Sequence, residues 1–261
     1  MAKLIEYKIN TGKYNMDYDS FLLEEAIKNE EKEPIIRFYG WSPACVSLGR
    51  NQSIEHINVE YCKANNIDIV KRVTGGRGLL HDDEVTYSFI CPCDFLEDGT
   101  SIIKSYKEIS SAIIQGFKNI DINLELGGKK KIEASHDYCM LLSTGADLSF
   151  NGTKLIGSAQ FRKQGYILQH GSVLFSYNKE VIENIFNEKT QENTITCIKE
   201  INPKLTREDV ISAMTKGFKD YFSHLPTKYL LPWLKTLCIF ASSSAVAAVK
   251  KYLFSVCLGL T

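Results

Sequence analysis

Apolar and polar positions alternate over residues 4–9 as in a half-buried strand, and over 15–29 the period lengthens so that Tyr18, Leu22, Ala26 and Ile27 share one helical face. A strand and then a helix open the chain. Residues 34–39 and 44–48 are β-rich runs around the turn-forming Gly40-Trp41-Ser42-Pro43, a pattern that predicts a hairpin. A strand over 67–73 runs into Thr74-Gly75-Gly76-Arg77-Gly78, where glycines allow close approach of a ligand to the backbone. After a buried strand over 85–91, Thr100 or Ser101 caps a helix with Ile102, Tyr106, Ile109, Ile113 and Phe117 directed inward. Runs at 147–150, 154–161 and 166–175 predict a meander, with Asn151-Gly152 as a type I′ turn and a glycine turn at 163–165. Thr206 and Asp209 approximate a capping box for a last helix that points Val210, Met214, Phe218 and Tyr221 inward.

Beyond Tyr221 the character changes. Residues 221–261 contain no Asp or Glu, and Lys235 and Lys250 bracket fourteen uncharged residues. That is short of the roughly 20 needed to span a bilayer as a helix. The chain therefore divides into a domain over 1–222 and an apolar, basic tail over 223–261, read either as a docked helical pair or as a membrane-surface segment.

Composition narrows the class. With 261 residues, 44% hydrophobic and 24% charged, the chain falls among ordinary globular proteins and outside disordered, collagen-like and coiled-coil classes. Thirty-one basic and thirty-one acidic residues cancel, which disfavours a nucleic-acid partner. Lys3, Glu6 and Lys8 stand where a secretion signal would carry its apolar core, so a cytoplasmic location is expected. There the eight cysteines stay reduced, as small buried side chains, metal ligands or a nucleophile. Cys91-Pro92-Cys93 has no second pair at zinc spacing, and no metal site is expected.

Four places could carry chemistry. Lys71, Arg72 and Arg77 surround the glycine loop with positive charge and His81-Asp82 follows, a combination suited to an anionic or carbonyl-bearing ligand or simply to a solvated hairpin. Lys154 heads a strand that continues through Gly157, Ser158 and Ala159, small residues against which a substrate could lie. Gln169-His170-Gly171-Ser172 is a polar insertion in an apolar strand, and must either pair internally or face a cavity. Cys139 occupies a polar, turn-rich stretch with His136 three residues before it, a setting for a nucleophile or an inert thiol.

Taken together, four segments resemble the lipoate-protein ligase and octanoyltransferase branch of the biotin/lipoate protein ligase superfamily, over roughly residues 3–222. They are Asn15-Met16-x-x-Asp19; Arg37-Phe38-Tyr39-x-Trp41-x-x-Pro43-Ala44-x-x-Ser47-Leu48-Gly49-x-x-Gln52; Lys71-Arg72-x-Thr74-Gly75-Gly76-Arg77-x-x-Leu80-His81-Asp82-x-Glu84-x-Thr86-Tyr87-Ser88; and Lys154-x-x-Gly157-Ser158-Ala159-Gln160-x-Arg162-x-x-Gly165-x-x-Leu168-Gln169-His170-Gly171-Ser172. Arg77 followed by Glu84-Val85-Thr86-Tyr87 is similar to the transferases that take octanoyl groups from acyl carrier protein. The family's paired arginine before the loop is Lys71-Arg72 here.

The resemblance implies an α+β ligase-like catalytic domain, a mixed sheet with flanking helices. It implies transfer of an octanoyl group from acyl carrier protein to a lysine of a lipoyl-bearing acceptor, such as glycine cleavage H protein or a 2-oxoacid dehydrogenase E2 subunit. Cys139 would be the nucleophile and Lys154 its catalytic partner. Arg72, Thr74, Gly75, Gly76, Arg77, His81, Gly157, Ser158, Ala159, Gln169, His170 and Gly171 would bind substrate. No cofactor would be needed. The alternatives are an ATP- and Mg-dependent lipoate-protein ligase, an amidotransferase moving octanoyl between lipoyl domains, and a binding protein without chemistry.

Overall fold

A computed structural model describes residues 2–127, 137–141, 147–190 and 192–223. The elements run β1 (Lys3–Asn10), α1 (Gly12–Lys28), β2 (Ile35–Trp41), β3 (Cys45–Leu48), α2 (Val59–Ala64), β4 (Asp68–Lys71), β5 (Leu79–His81) and β6 (Glu84–Pro92). They continue with α3 (Ile102–Lys118), β7 (Glu125–Leu126), β8 (Leu148–Phe150), β9 (Thr153–Lys163), β10 (Tyr166–Leu174), α4 (Lys179–Phe186), α5 (Ile198–Ile201) and α6 (Arg207–Ser223). The tail reading of 223–261 falls, beyond Ser223, outside the described residues, as does His136. Among the described residues, no helix is long and apolar enough to cross a membrane.

The meander forms as the pattern predicts. Asn151 and Gly152 both take left-handed backbone, φ 49° and 77°, which a type I′ turn requires, and β8, β9 and β10 pair antiparallel. They belong to a seven-stranded mixed sheet ordered β1-β2-β6-β10-β9-β8-β7, in which β1 and β2 are parallel. A second sheet, β4-β3-β5, has three strands.

The predicted hairpin of β2 with β3 does not form. β2 pairs with β1 and β6 in the large sheet, and β3 pairs with β4 and β5 in the small one. Both strands are buried along their whole length, so each takes partners on both edges from distant parts of the chain, which periodicity cannot register.

Side chains on β6 and β10 alternate between two faces. Ile90 and Leu168 turn to α1, where Leu22, Leu23 and Ala26 cover them. On the opposite face Phe89 stacks on Phe218 of α6, with ring centroids 5.2 Å apart. Ser101 caps α3 through the Lys104 N–H, and Ile109, Ile113 and Phe117 are buried as expected; Ile102, at the helix's first turn, is 59% exposed. Thr206 and Asp209 cap α6 reciprocally: the Thr206 N–H donates to Asp209 Oδ2 and the Asp209 N–H to Thr206 Oγ1.

Candidate active site

The glycine loop and the Cys139 turn are built as one unit. The Gly78 N–H donates to the Asp137 carbonyl at 3.0 Å and the Cys139 N–H to the Gly78 carbonyl at 2.8 Å. Gln52 Nε2 also donates to the Asp137 carbonyl, at 3.2 Å, and the Asp137 N–H to Glu188 Oε1. Tyr138, fully buried, packs on Phe186 of α4 with ring centroids 4.8 Å apart. Cys139 itself stays half-buried at the start of a short 3-10 turn.

Burial fixes Arg72 within the loop. Its Nε donates to Thr74 Oγ1 at 3.1 Å, Nη1 to the carbonyl and hydroxyl of Ser47 at 2.7 and 3.0 Å, and Nη2 to the carbonyls of Gly75 and Arg77 at 2.9 and 2.7 Å. All five donors of the guanidinium are thus occupied. Gly76 sits above it with φ 92°, and a Cβ there would lie 3.0 Å from Arg72 Nη2. The loop needs glycine at this position both for conformation and for room.

Lys154 reaches the other side of the Cys139 turn. Its Nζ donates to the Cys139 carbonyl at 2.9 Å and pairs with Asp147 Oδ2 at 3.0 Å; both charged side chains are 2% exposed. A Cβ at Gly157 would come within 3.3 Å of Lys154 Cε and 3.1 Å of Met140 Sδ, so the absent side chain leaves the lysine its path.

Two cavities meet at Cys139. One, of about 50 Å³, is lined by Met16, Tyr39, Trp41, Leu79, His81 and Gly171 among others. The second, of about 400 Å³, is lined by Gly75, Arg77, Tyr106, Asp147, Lys154 and Gln160 among others. Gly76, Cys139, Ser158 and Ala159 border both. Such a layout holds a flexible apolar group in one chamber while its reactive end meets a thiol and an ammonium.

The first chamber carries an ordered polar frame. His81 stacks on Trp41 at 3.8 Å between centroids, with its Nε2 2.7 Å from Ser47 Oγ and its Nδ1 2.8 Å from Glu84 Oε1. Trp41 Nε1 donates to Thr86 Oγ1 at 2.8 Å. His170 lies 2.8 Å from Thr74 Oγ1 and 3.3 Å from Asp19 Oδ2, and Asp19 is paired with buried Arg37 at 2.7 Å. Burial holds the His170 imidazole below its ordinary range and hence neutral. For Asp19 burial acts upward, but the His170 contact and the Arg37 charge outweigh it and keep the carboxyl low.

Of the residues singled out from sequence, Cys139, Lys154, Arg72, Gly75, Gly76, Arg77, His81, Gly157, Ser158, Ala159, His170 and Gly171 line one cavity or both. Thr74 and Gln169 line neither. Thr74 is fully buried between Arg72 and His170, and Gln169 points to the α6 side of the sheet, where its amide donates to the Tyr87 hydroxyl at 2.9 Å. Sequence reasoning missed Tyr106 and Asp147 as wall residues; Asp147, just ahead of the meander, was a charge next to an apolar run and so a signal for a buried pair. Burial pushes the thiols of Cys45, Cys62, Cys91, Cys93 and Cys197 up, which leaves them poor nucleophiles at neutral pH.

Residues 11–219 match the lipoyl protein ligase A/B catalytic domain. The chain is 37% identical over 194 residues to octanoyltransferase LipM of Clostridioides difficile (strain 630), covering 73% of this chain and 71% of the relative. It is 34% identical over 226 residues to octanoyltransferase LipM of Bacillus subtilis (strain 168), covering 80% of each. Lipoate-protein ligase A bound with ATP shares the fold at a TM-score of 0.70 and 18% identity, over 85% of both chains. The lipoate protein ligase homologue Ta0514 of T. acidophilum, with bound lipoic acid, does so at 0.66 and 19%, again over 85% of both.

Proposed function

The chain belongs to the lipoyl protein ligase A/B catalytic domain family, and we propose that it moves an octanoyl group from the thioester of acyl carrier protein, through Cys139, to a lysine of a lipoyl domain. It is an octanoyltransferase of lipoate assembly. The observation that carries the cysteine route is the position of Cys139 at the junction of the two cavities, with Lys154 fixed on its own carbonyl.

The octanoyl chain lies in the cavity under Trp41 and His81, which places its carbonyl at Cys139. The Cys139 sulfur, its proton passed to solvent, attacks that carbonyl; the bond between the carbonyl carbon and the carrier's sulfur breaks, and the departing thiolate takes a proton from solvent. In the second half the acceptor's neutral lysine amine enters from the side of Tyr106 and Asp147, attacks the Cys139 thioester and forms the amide. The Cys139 sulfur leaves, and the amine's proton returns to solvent or to the thiolate. Lys154 faces the charge that develops on the carbonyl oxygen, and Gly75 and Gly76 of the glycine loop border the same space. A thioester donor is already activated, so the reaction calls for neither ATP nor a metal. The cytoplasm, where thiols stay reduced, suits this chemistry.

Incubation with octanoyl carrier protein and a lipoyl domain, with and without ATP, tests the reading by mass spectrometry of the acceptor. An octanoylated acceptor without ATP is the expected result. Transfer that appears only when free octanoate and ATP are supplied would replace it with the ligase.

A further inference from the structure

Among the described residues, Arg72 is a buried cation with no carboxylate paired to it. It is 5% exposed, and its five hydrogen bonds all go to uncharged oxygens, those of Thr74, Ser47, Gly75 and Arg77. The acids in its network are reached only through intermediaries: Glu84 through Ser47 and His81, and Asp19 through Thr74 and His170. Asp19 in turn already serves Arg37. An ion held this way is costly to bury, and its field is not cancelled locally.

That field falls on the reacting centre. Arg72, Gly76 and Cys139 line the same cavity. Burial draws the guanidinium below its usual range, and Cys139 and Tyr106 act on it in the opposite direction. Around Cys139 the other charged or titratable groups among the described residues are Lys154, Asp147, Arg77, Tyr39, Tyr106, Tyr138, His81 and His170. Lys154 is compensated by Asp147 at 3.0 Å.

We propose that Arg72, its donors all committed to the loop, is a positioning residue that acts through space, its uncancelled charge favouring the anionic thiolate and oxyanion at Cys139. It supplies charge to the site and no hydrogen bond to the substrate. This rests on Cys139 as the acyl-carrying residue, and its test reads the thiol without requiring acyl transfer.

The full-length chain and its variants are treated with iodoacetamide across the range in which thiols titrate, about pH 6 to 10, and alkylation of Cys139 is followed by peptide mass spectrometry. In Arg72→Gln the charge is gone, and the rate at neutral pH is expected to fall roughly tenfold, with the profile displaced to higher pH. Ser47→Asp keeps Arg72 and supplies the missing carboxylate beside Nη1, and the same displacement is expected relative to Ser47→Asn, which is of like size and uncharged. Ser47→Asp against Ser47→Asn decides the matter should Arg72→Gln fail to fold. Superimposable profiles for those two folded variants would overturn the proposal. A normal displacement in a protein that never acquires octanoyl on Cys139 would keep the electrostatics and remove the acyl-transfer reading.

Discussion

The Lys154 ammonium donates at 2.9 Å to the backbone carbonyl of Cys139 while it pairs with Asp147, so the charge at the head of β9 is tied to the main chain of the proposed nucleophile. Removing the lysine alone should therefore damage two things at once. Lys154→Met strands a buried carboxylate at a cost of about 3–5 kcal/mol, and lowers transfer by about two to three powers of ten through loss of oxyanion stabilisation. The double variant Lys154→Met with Asp147→Leu should regain most of the thermal stability and none of the rate. Thermal melts and transfer rates on the two proteins separate the roles; recovery of rate in the double variant would contradict a catalytic lysine.

Gln52 lies far from Cys139 in sequence yet helps hold its turn, by donating to the Asp137 carbonyl. Gln52→Ala should lose about 0.5–1.5 kcal/mol, with a larger effect on acylation of Cys139 than so small a stability loss would suggest. Burst-phase acylation compared with the melting temperature checks this.

On the proposed route the wall formed by Trp41 limits acyl length. Trp41, stacked on His81 and 6% exposed, closes the apolar cavity. Trp41→Ala should enlarge it and raise use of dodecanoyl over octanoyl carrier protein by about tenfold or more, at about 3–5 kcal/mol of stability. Competition between the two donors, read on the acceptor by mass spectrometry, gives the ratio. An unchanged ratio would place the chain elsewhere.

Acid should weaken the fold through His170. Its folded imidazole is held low by burial, so once the pH falls below about 6.5 the unfolded chain takes up a proton that the native chain refuses. Stability from this group is present above that value and is lost as pH falls; Asp19, also held low, adds to the loss further into acid. Melting temperatures measured from about pH 7 down to about pH 5 should drop, and His170→Gln should flatten that slope.

Much of this was legible in the chain. Strand-like runs and turn chemistry located β9 and β10 because an antiparallel meander takes its partners from neighbouring sequence. β2 and β3 misled for the converse reason, their partners being remote. In the site, motif residues announced the glycine loop and Lys154, but the sequence could not show that Arg72 spends every donor on that loop. It was equally silent on Tyr106, just over one turn into an ordinary amphipathic helix, reaching the second cavity. Which face of a correctly placed element meets a cavity depends on packing across the chain, and single-chain periodicity reports only that a face is apolar.

On the proposed route the acyl group passes through Cys139. Mixing the protein with octanoyl carrier protein in the absence of acceptor, and mapping the product by peptide mass spectrometry, tests it most directly. One octanoyl group on Cys139, chased onto the lysine when lipoyl domain is added, is the predicted result. Acceptor octanoylated at the parent rate by the Cys139→Ala protein would contradict it.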